Sequence, residues 1–496
     1  MTARAAYSIA SLAALLSGCS HLQTPGDQFS GAEGSPTVLS VTRPAGPEWF
    51  GLYILGQKVG WSRMEVAREQ RGGTDVLVAT QESVLRASVG NRQAERRERS
   101  EKVYEARPGG RLVAFVREYE GDGGERRTEV TCTPKICRVI LIAQGGTQTR
   151  ERPPTTEAAE RADAARLAAA LRGKVVGALL DPENLGEYEL KDVFKGRGTL
   201  AWAGAVLDVS VVAESSSGDR LPALISIADD GRVLEIRYGQ SLVARAEPEE
   251  IARRLDKVDL VSLTRVPLDA PLPSSVPGSI VFRLRGLPPE FQMRDDRQSY
   301  APRPDGQTVV TVSARVPAAA NPERDARRSA PVTRDMKEYL RPTFEFDADD
   351  PAVSELAREV VGDSQGVFAA STRLVHFVNQ RLKKSGERSS RASEVLRLGK
   401  GTSVEHTLLF VAMARAAGIP ARLVTGLAYM GARAPALYWL AWAEVKAGDD
   451  WIAVDPMLDQ PVADATHIAL ARGAQVDVVS LLGVLAVVEA RPGEPP

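Results

Sequence analysis

The chain has 496 residues, of which 43% are hydrophobic and 26% charged. At about 150 residues per domain this length holds roughly three domains, each able to bury an ordinary core. A net charge of −1 carries no basic excess, which argues against nucleic acid as a partner.

Residues 1–18 read as a targeting segment. Arg4 precedes an apolar stretch, Ile9 to Leu16, that is too short to span a bilayer as a stable helix. It ends in Leu16-Ser17-Gly18-Cys19, which resembles the lipobox of bacterial lipoproteins. The resemblance implies cleavage before Cys19, lipidation of its thiol, and attachment to a membrane of the cell envelope through lipid. Ser20, where Asp would retain the chain, implies the outer membrane on its periplasmic side. An ordinary secretory signal with an incidental Cys is the alternative. No later segment is long and apolar enough to cross a membrane. Residues 19–46 are rich in Pro, Gly and Ser and read as a flexible tether.

From Trp49 the pattern is β. Leu52-Tyr53-Ile54 and Val59-Gly60-Trp61 flank Gly56-Gln57-Lys58, a hairpin signal, and short β runs recur to Ile236. The run from Arg92 to Lys102 alternates both signs of charge, as a solvated strand face does. Cys132 and Cys137 flank Thr133-Pro134-Lys135-Ile136 between two β runs, a spacing that allows a disulfide across a hairpin mouth. A zinc site would need a second Cys or His pair nearby, and the sequence offers none. Thr156 to Leu171 predicts one amphipathic helix. Residues 47–245 are therefore expected to form a large antiparallel β domain. Residues 246–333 are expected to hold a charged linker helix, two or three strands that form a small β module or extend the C-terminal domain, and an exposed loop.

Residues 334–496 predict a mixed domain, so the chain as a whole is α+β. Helices are expected at Pro351–Val361 and at Ala369–Leu382, and a central one over 403–417 that ends at Gly418 before Pro420. Strands follow at about 421–428, 438–446 and 451–455, and the β-branched run 476–488 predicts a last one.

Four motifs of this region stand in a telling order. They are Gly401-Thr402-Ser403-Val404-Glu405-His406, Gly418-Ile419-Pro420-Ala421-Arg422, Leu440-Ala441-Trp442-Ala443-Glu444-Val445, and Trp451-Ile452-Ala453-Val454-Asp455-Pro456. Together they resemble the core of bacterial transglutaminase-like domains, whose fold is related to papain-type thiol hydrolases. Asp464-Ala465-Thr466-His467-Ile468 is similar to that family's continuation. The segment from Trp49 to Trp61 is similar, more weakly, to domains that precede such cores in some envelope proteins, and implies no chemistry.

The family resemblance implies acyl transfer through a Cys at the helix start, a His on one strand and an Asp on the next. Here the Cys position is Ser403 and the His position is Leu440, while Asp455 is kept. A helix N-terminus can bring a thiol to its thiolate near neutral pH, whereas a hydroxyl stays protonated and needs a base beside it. Leu440 cannot be that base. Losing both groups fits a site released from catalysis. His406, one helical turn from Ser403, is the candidate surrogate base; its other reading, like that of His467 and His376, is structural. Thr402 to Glu405 also fits a capping box, with Thr402 or Ser403 as N-cap. Asp455 before Pro456 can start a turn, and Trp442 and Trp451 suit core and cleft walls.

The expectation is an envelope lipoprotein with a degenerate transglutaminase-like domain, acting as a non-catalytic protein- or peptide-binding or scaffold protein. The alternative is a serine-dependent amide hydrolase or acyltransferase of transglutaminase or protease type using Ser403. A purely structural lipoprotein is the third reading. No cofactor or metal is implied.

Overall fold

The computed structural model describes residues 36–493, apart from 315–333 and short stretches at 90–91, 122–123, 144–145, 182–185, 217–220, 274–275, 365, 387–388, 390, 432–434, 449 and 474–476. Cys19 and the targeting segment lie outside the described residues. The chain divides between Val258 and Asp259 into two compact units.

The N-terminal unit is one antiparallel sheet of fourteen strands. Eight follow one another as hairpins: β1 (Glu48–Ile54), β2 (Gln57–Arg71), β3 (Thr74–Val89), β4 (Arg92–Glu105), β5 (Leu112–Gly121), β6 (Gly124–Cys132), β7 (Cys137–Ala143) and β8 (Gly146–Arg152). After a helical connection come β9 (Lys174–Asp181), β10 (Gly186–Trp202), β11 (Ala205–Ser216), β12 (Ala223–Ala228), β13 (Val233–Tyr238) and β14 (Leu242–Ala246). Strand β14 pairs with β1, so the two meanders join into one sheet. Local chemistry sets these turns. Leu55 and Gly56 both take positive φ, the two-residue hairpin geometry that suits right-twisted strands. On β4 the alternating charges pair across the sheet, Arg71 with Glu101, Arg99 with Glu82 and Arg117 with Glu98, and Arg96 pairs with Glu98 along the strand itself. Cys132 and Cys137 stand opposite each other at the mouth of the β6–β7 hairpin, 4.1 Å apart at Cα, and are disulfide-bonded.

Two expectations change in this unit. The helix over 156–171 breaks at Asp163 into a 3₁₀ turn (Ala159–Asp163) and helix α1 (Ala164–Leu171). Residues 37–43 are not a free tether: Val38 is fully buried, Val41 is buried, and Arg43 pairs with Asp163 and donates to the Val38 carbonyl.

The helical connection carries buried charge into the unit. Glu157 accepts from Lys102 Nζ at 2.8 Å, from Tyr104 Oη at 2.6 Å and from the Leu180 backbone N–H at 2.7 Å. It thereby links β4 to β9, the terminal strand of the sheet order. Arg161 lies against Asp192 of β10 and Glu214 of β11, and Arg166 bonds Asp163 and Glu48. Burial alone would lower the Arg161 pKa, but these carboxylates hold it above its ordinary value. A short helix (α2, Glu249–Ala252) closes the unit.

The C-terminal unit opens with α3 (Leu260–Thr264) and β15 (Val266–Pro267), then β16 (Ser279–Arg285), β17 (Gln298–Pro302) and β18 (Thr308–Ser313). Four helical and strand steps follow: α4 (Pro351–Val361), α5 (Val367–Arg381) with β19 (Lys383–Lys384), α6 (Ala392–Leu398) with β20 (Lys400–Gly401), and α7 (Ser403–Ala416). Then come β21 (Ala421–Tyr429), β22 (Ala436–Ala447), β23 (Asp450–Val454), β24 (Ile468–Arg472) and β25 (Ala486–Pro492). Asp350 caps α4 through the Ala352 N–H, with Pro351 in the first turn where its missing N–H costs nothing.

Strands β15, β22, β21 and β24 form one sheet, with β23 also on β22; β17, β18, β16 and β25 form another. Residues 246–333 are thus divided, and their strands extend the C-terminal unit, one of the two readings that the sequence left open. Residues up to 258 belong to the N-terminal unit, whereas β15 pairs with β22 and β16 with the C-terminal strand β25. The last strand lies at 486–492 rather than 476–488, because Asp477–Leu481 form a 3₁₀ turn. Strand β24 is an addition; its Ile-Ala-Leu-Ala-Arg sequence carries no alternation to announce it.

Glu157 is a fully buried carboxylate with four donated hydrogen bonds, so removing it strands Lys102 as an unpaired charge. Glu157→Ala is expected to cost about 3–5 kcal/mol in the N-terminal unit. Urea unfolding of the full chain, with hydrogen exchange at β4 and β9, measures it; an unchanged midpoint and exchange pattern would refute the bridging role.

Candidate functional site

Helix α7 sets the site. All its residues from Ser403 to Arg415 are buried, as the nearly uninterrupted apolar run Leu408–Ala414 requires. It packs against α4, α5 and α6 and against one face of β22, from which Ala441, Ala443 and Val445 enter the shared core. The opposite face of β22 presents Leu440 and Trp442 to a second cluster with Val424, Ala453, Met457 and Ala469.

The helix start is a capping box. Thr402 Oγ1 accepts from the Val404 N–H at 3.2 Å, and Glu405 Oε2 accepts from the Thr402 N–H at 2.9 Å. Gly401 leaves the room this needs, since a Cβ there would stand 2.3 Å from Glu405 Cβ. Thr402 is therefore the N-cap, and Ser403 is the first helical residue with its hydroxyl free for another task. That hydroxyl accepts from the Ala441 N–H at 3.2 Å. The β22–β23 register explains why this N–H needs it. Ala443 faces Val454, so the next pair along would set Ala441 against Pro456, but the ladder stops when Asp455 turns to bridge Gln460 instead. Ser403 fills the vacancy at the strand edge.

The other polar residues near the helix start are also committed. His406 Nδ1 lies 2.7 Å from the Thr402 carbonyl, and its Nε2 has no hydrogen-bond partner among the described residues. Burial lowers the His406 pKa, against the raising influence of the Thr402 and Leu382 carbonyls, so the ring is neutral at pH 7. Neither ring nitrogen bonds Ser403. Leu440 is 3% exposed and lies in the apolar cluster with Trp442.

Asp455 is fully buried and does two things. Its Oδ1 accepts from the Met457 and Leu458 N–H groups at 2.8 and 2.9 Å, the turn-starting role expected of Asp before Pro. Its Oδ2 lies 3.1 Å from His467 Nε2. His467 Nδ1 in turn lies 3.0 Å from Asp464 Oδ1, and its ring meets Trp442 edge-on with centroids 5.1 Å apart. Gly426 makes space for that indole, because a Cβ would stand 2.7 Å from it. His376 is half-exposed on α5 and pairs with Asp459 at 2.7 Å.

Two residues that the sequence reading missed hold this arrangement. Arg297 donates to the carbonyls of Ala463, Asp464 and His467, and Gln298 exchanges hydrogen bonds with the backbone of Ala469. Burial pushes the Arg297 pKa down to about 10, against the acids Asp295, Asp464 and Glu444. Nothing local in the sequence marks them, since their partners lie far along the chain.

Residues 354–456 match the family model of the transglutaminase-like superfamily. This segment is a transglutaminase-like domain. No curated protein matches the chain significantly. Among solved structures, a candidate cysteine protease from Cytophaga hutchinsonii is 17% identical, with 44% of this chain and 83% of that one covered and a TM-score of 0.29. A β-barrel-like protein of the DUF1849 family from Brucella abortus is 12% identical, with 40% and 94% covered and a TM-score of 0.30. The periplasmic domain of TgpA from Pseudomonas aeruginosa is 16% identical, with 38% and 89% covered and a TM-score of 0.23.

At the edges of the transglutaminase-like domain, Arg415 donates to the Ala421 and Arg341 carbonyls, and Arg422 pairs with Glu444 while stacking 3.7 Å over the Trp451 ring. Trp442 is thus core and Trp451 a clasp for Arg422. Among the described residues no cluster of His, Cys, Asp and Glu could hold a metal, and no helix is long and apolar enough to cross a membrane.

Replacing Ser403 by Ala leaves the buried Ala441 N–H unpaired and is expected to cost about 1–3 kcal/mol. Chemical denaturation of the full-length variant tests this; a cost near zero would show that the serine is not needed by the strand. For His406 the sign is set by its depressed pKa. Its contribution to stability is present above the unfolded value near 6.5 and is lost as pH falls through the lower folded value. His406→Gln is expected to flatten that acid-side loss in a pH series of thermal melts.

Proposed function

We propose that this chain is an envelope lipoprotein whose transglutaminase-like domain has lost catalysis, and that it serves as a non-catalytic protein- or peptide-binding or scaffold protein. The observation that carries the reading is the commitment of Ser403. Its hydroxyl, at the family's cysteine position, accepts a backbone N–H, and among the described residues no hydrogen bond joins it to a base. Attack on an acyl carbon needs more than this, a neighbouring base to take the hydroxyl proton. Leu440, at the family's histidine position, is packed among apolar side chains. Asp455 has its oxygens engaged by the Met457 and Leu458 N–H groups and by His467, so it orients no base toward Ser403.

The envelope location rests on Leu16-Ser17-Gly18-Cys19, with attachment by lipid at Cys19. The Cys132–Cys137 disulfide is the kind of bond an oxidising compartment preserves and supports the same placement. The partner in this reading is an envelope protein or peptide.

Incubation of the full chain with a serine-directed fluorophosphonate is expected to leave Ser403 unlabelled. Stoichiometric labelling that Ser403→Ala abolishes would instead establish the serine-dependent amide hydrolase or acyltransferase, with His406 as the first base to test. Metabolic labelling with a fatty-acid analogue is expected to mark the chain, and Cys19→Ala to remove the label. An unlabelled wild-type chain would overturn the lipid anchor.

A further inference from the structure

Asp455, His467 and Asp464 form a buried sequence of acid, imidazole and acid. Both ring nitrogens face a carboxylate oxygen, Nε2 at 3.1 Å and Nδ1 at 3.0 Å. A neutral imidazole has one donor and one acceptor. It would therefore set a ring lone pair against a carboxylate lone pair in a place with no exposed surface, since the His467 side chain is 0% exposed. Only the imidazolium donates to both acids.

The groups around His467 can be taken element by element. Asp455 follows β23 and is fully buried. Asp464 lies on the same loop as His467, where it also accepts from the Thr466 N–H and hydroxyl and from Gln460 Nε2. From β22 comes the uncharged ring of Trp442. From the segment before β17 comes Arg297, whose cation reaches the His467 carbonyl rather than its ring. From α7 comes His406, which interacts electrostatically with Asp455 and is neutral at pH 7. Two acids thus face the ring, and Arg297 donates to backbone carbonyls rather than to either carboxylate.

The bonds made by this triplet define what it restrains. Asp455 and Gln460 exchange backbone hydrogen bonds, Gln460 and Asp464 exchange side-chain and backbone bonds, and His467 ties both ends together immediately before β24. Residues 455–467 therefore form one loop whose two ends are joined through a single protonated ring. That loop supplies Met457 and Ala463 to the cluster that covers Leu440 and Trp442.

We propose that the Asp455–His467–Asp464 triplet is a proton-held clasp: the loop 455–467 stays closed over the Leu440 face of β22 while His467 is an imidazolium, and alkaline deprotonation loosens it. This inference rests on the geometry of the loop and is independent of whether Ser403 catalyses. Burial lowers the His467 pKa, but the hydrogen bonds to Asp455 and Asp464 outweigh it and leave the value raised. The sign follows. The clasp contributes its full stability below the unfolded value near 6.5 and loses it as pH rises through the higher folded value.

Ring-nitrogen NMR of the full chain, selectively labelled at histidine, tests the protonation state. Both His467 nitrogens are expected to be protonated at pH 7 and to titrate above 6.5. A singly protonated His467 at pH 7 would overturn the proposal. Hydrogen exchange across 456–467 then tests the consequence, with protection expected to fall at least tenfold through that titration while α7 is unchanged. Protection that is flat across the titration would also overturn it. Asp464→Asn, at the more exposed end of the triplet, keeps the shape and removes one charge. It is expected to bring the His467 titration and the loss of loop protection down in pH together, by about one unit or more; a titration that stays where it was would show that Asp464 does not hold the proton.

Discussion

A helix buried on every face has no water to satisfy its polar groups, and α7 is such a helix. Its polar groups look inward for partners, because an unpaired buried donor or acceptor costs about 1–3 kcal/mol, and among the described residues His406 Nε2 is the side-chain atom of the helix left without one. This constraint accounts for the helix residue by residue. Thr402 and Glu405 satisfy each other and the first turn, His406 turns back to the Thr402 carbonyl, and Thr407 donates to the Ser403 carbonyl. Arg415 leaves the last turn to meet the Ala421 carbonyl. Ser403 solves a problem that belongs to its neighbour: the N–H of Ala441, left without a partner when β23 ends. A residue at a position associated with chemistry is thus explained by the accounting of backbone hydrogen bonds.

The same constraint shapes the rest of the molecule. In the C-terminal unit, β16, β17 and β18 belong to a different sheet from β22, yet Arg297 and Gln298 reach from their vicinity to hold the loop before β24 and β24 itself. In the N-terminal unit, the connection between the two meanders brings Glu157, Arg161 and Arg166 inside, where each meets opposite charge. Buried ion pairs of this kind are a poor source of net stability but a strict specifier of geometry, since breaking one leaves a bare charge in the interior.

How far this was legible in the sequence follows from which interactions are local. Helix α4 was readable because Asp350 and Pro351 announce it, and the end of α7 because Gly418 and Pro420 do. The β1–β2 hairpin was readable from its turn. The break at Asp163 was not, because the charged residues on either side keep helical spacing while Arg161 and Arg166 find separate partners on strands far along the chain. The docked segment at Val38 was hidden by its Pro- and Gly-rich surroundings, which give no periodicity to two buried valines. At the site, the family resemblance singled out Ser403, Leu440 and Asp455, but the sequence could not distribute their hydrogen bonds. Thr402 against Ser403 as cap, and His467 as the partner of Asp455, are decided by strand register and loop closure.

The pairing of β16 with β25 has a consequence for how the protein is made. Residues 279–285 leave the ribosome early and wait for residues 486–492 before their sheet is complete. Long-range pairing of this kind is slow to form and leaves strand edges open meanwhile. The sheet is complete only once residues 486–492 are present, and a chain without them keeps residues 354–456 whole while leaving β16 as an open edge. Quality control that senses such an edge would read out whether β25 is in place.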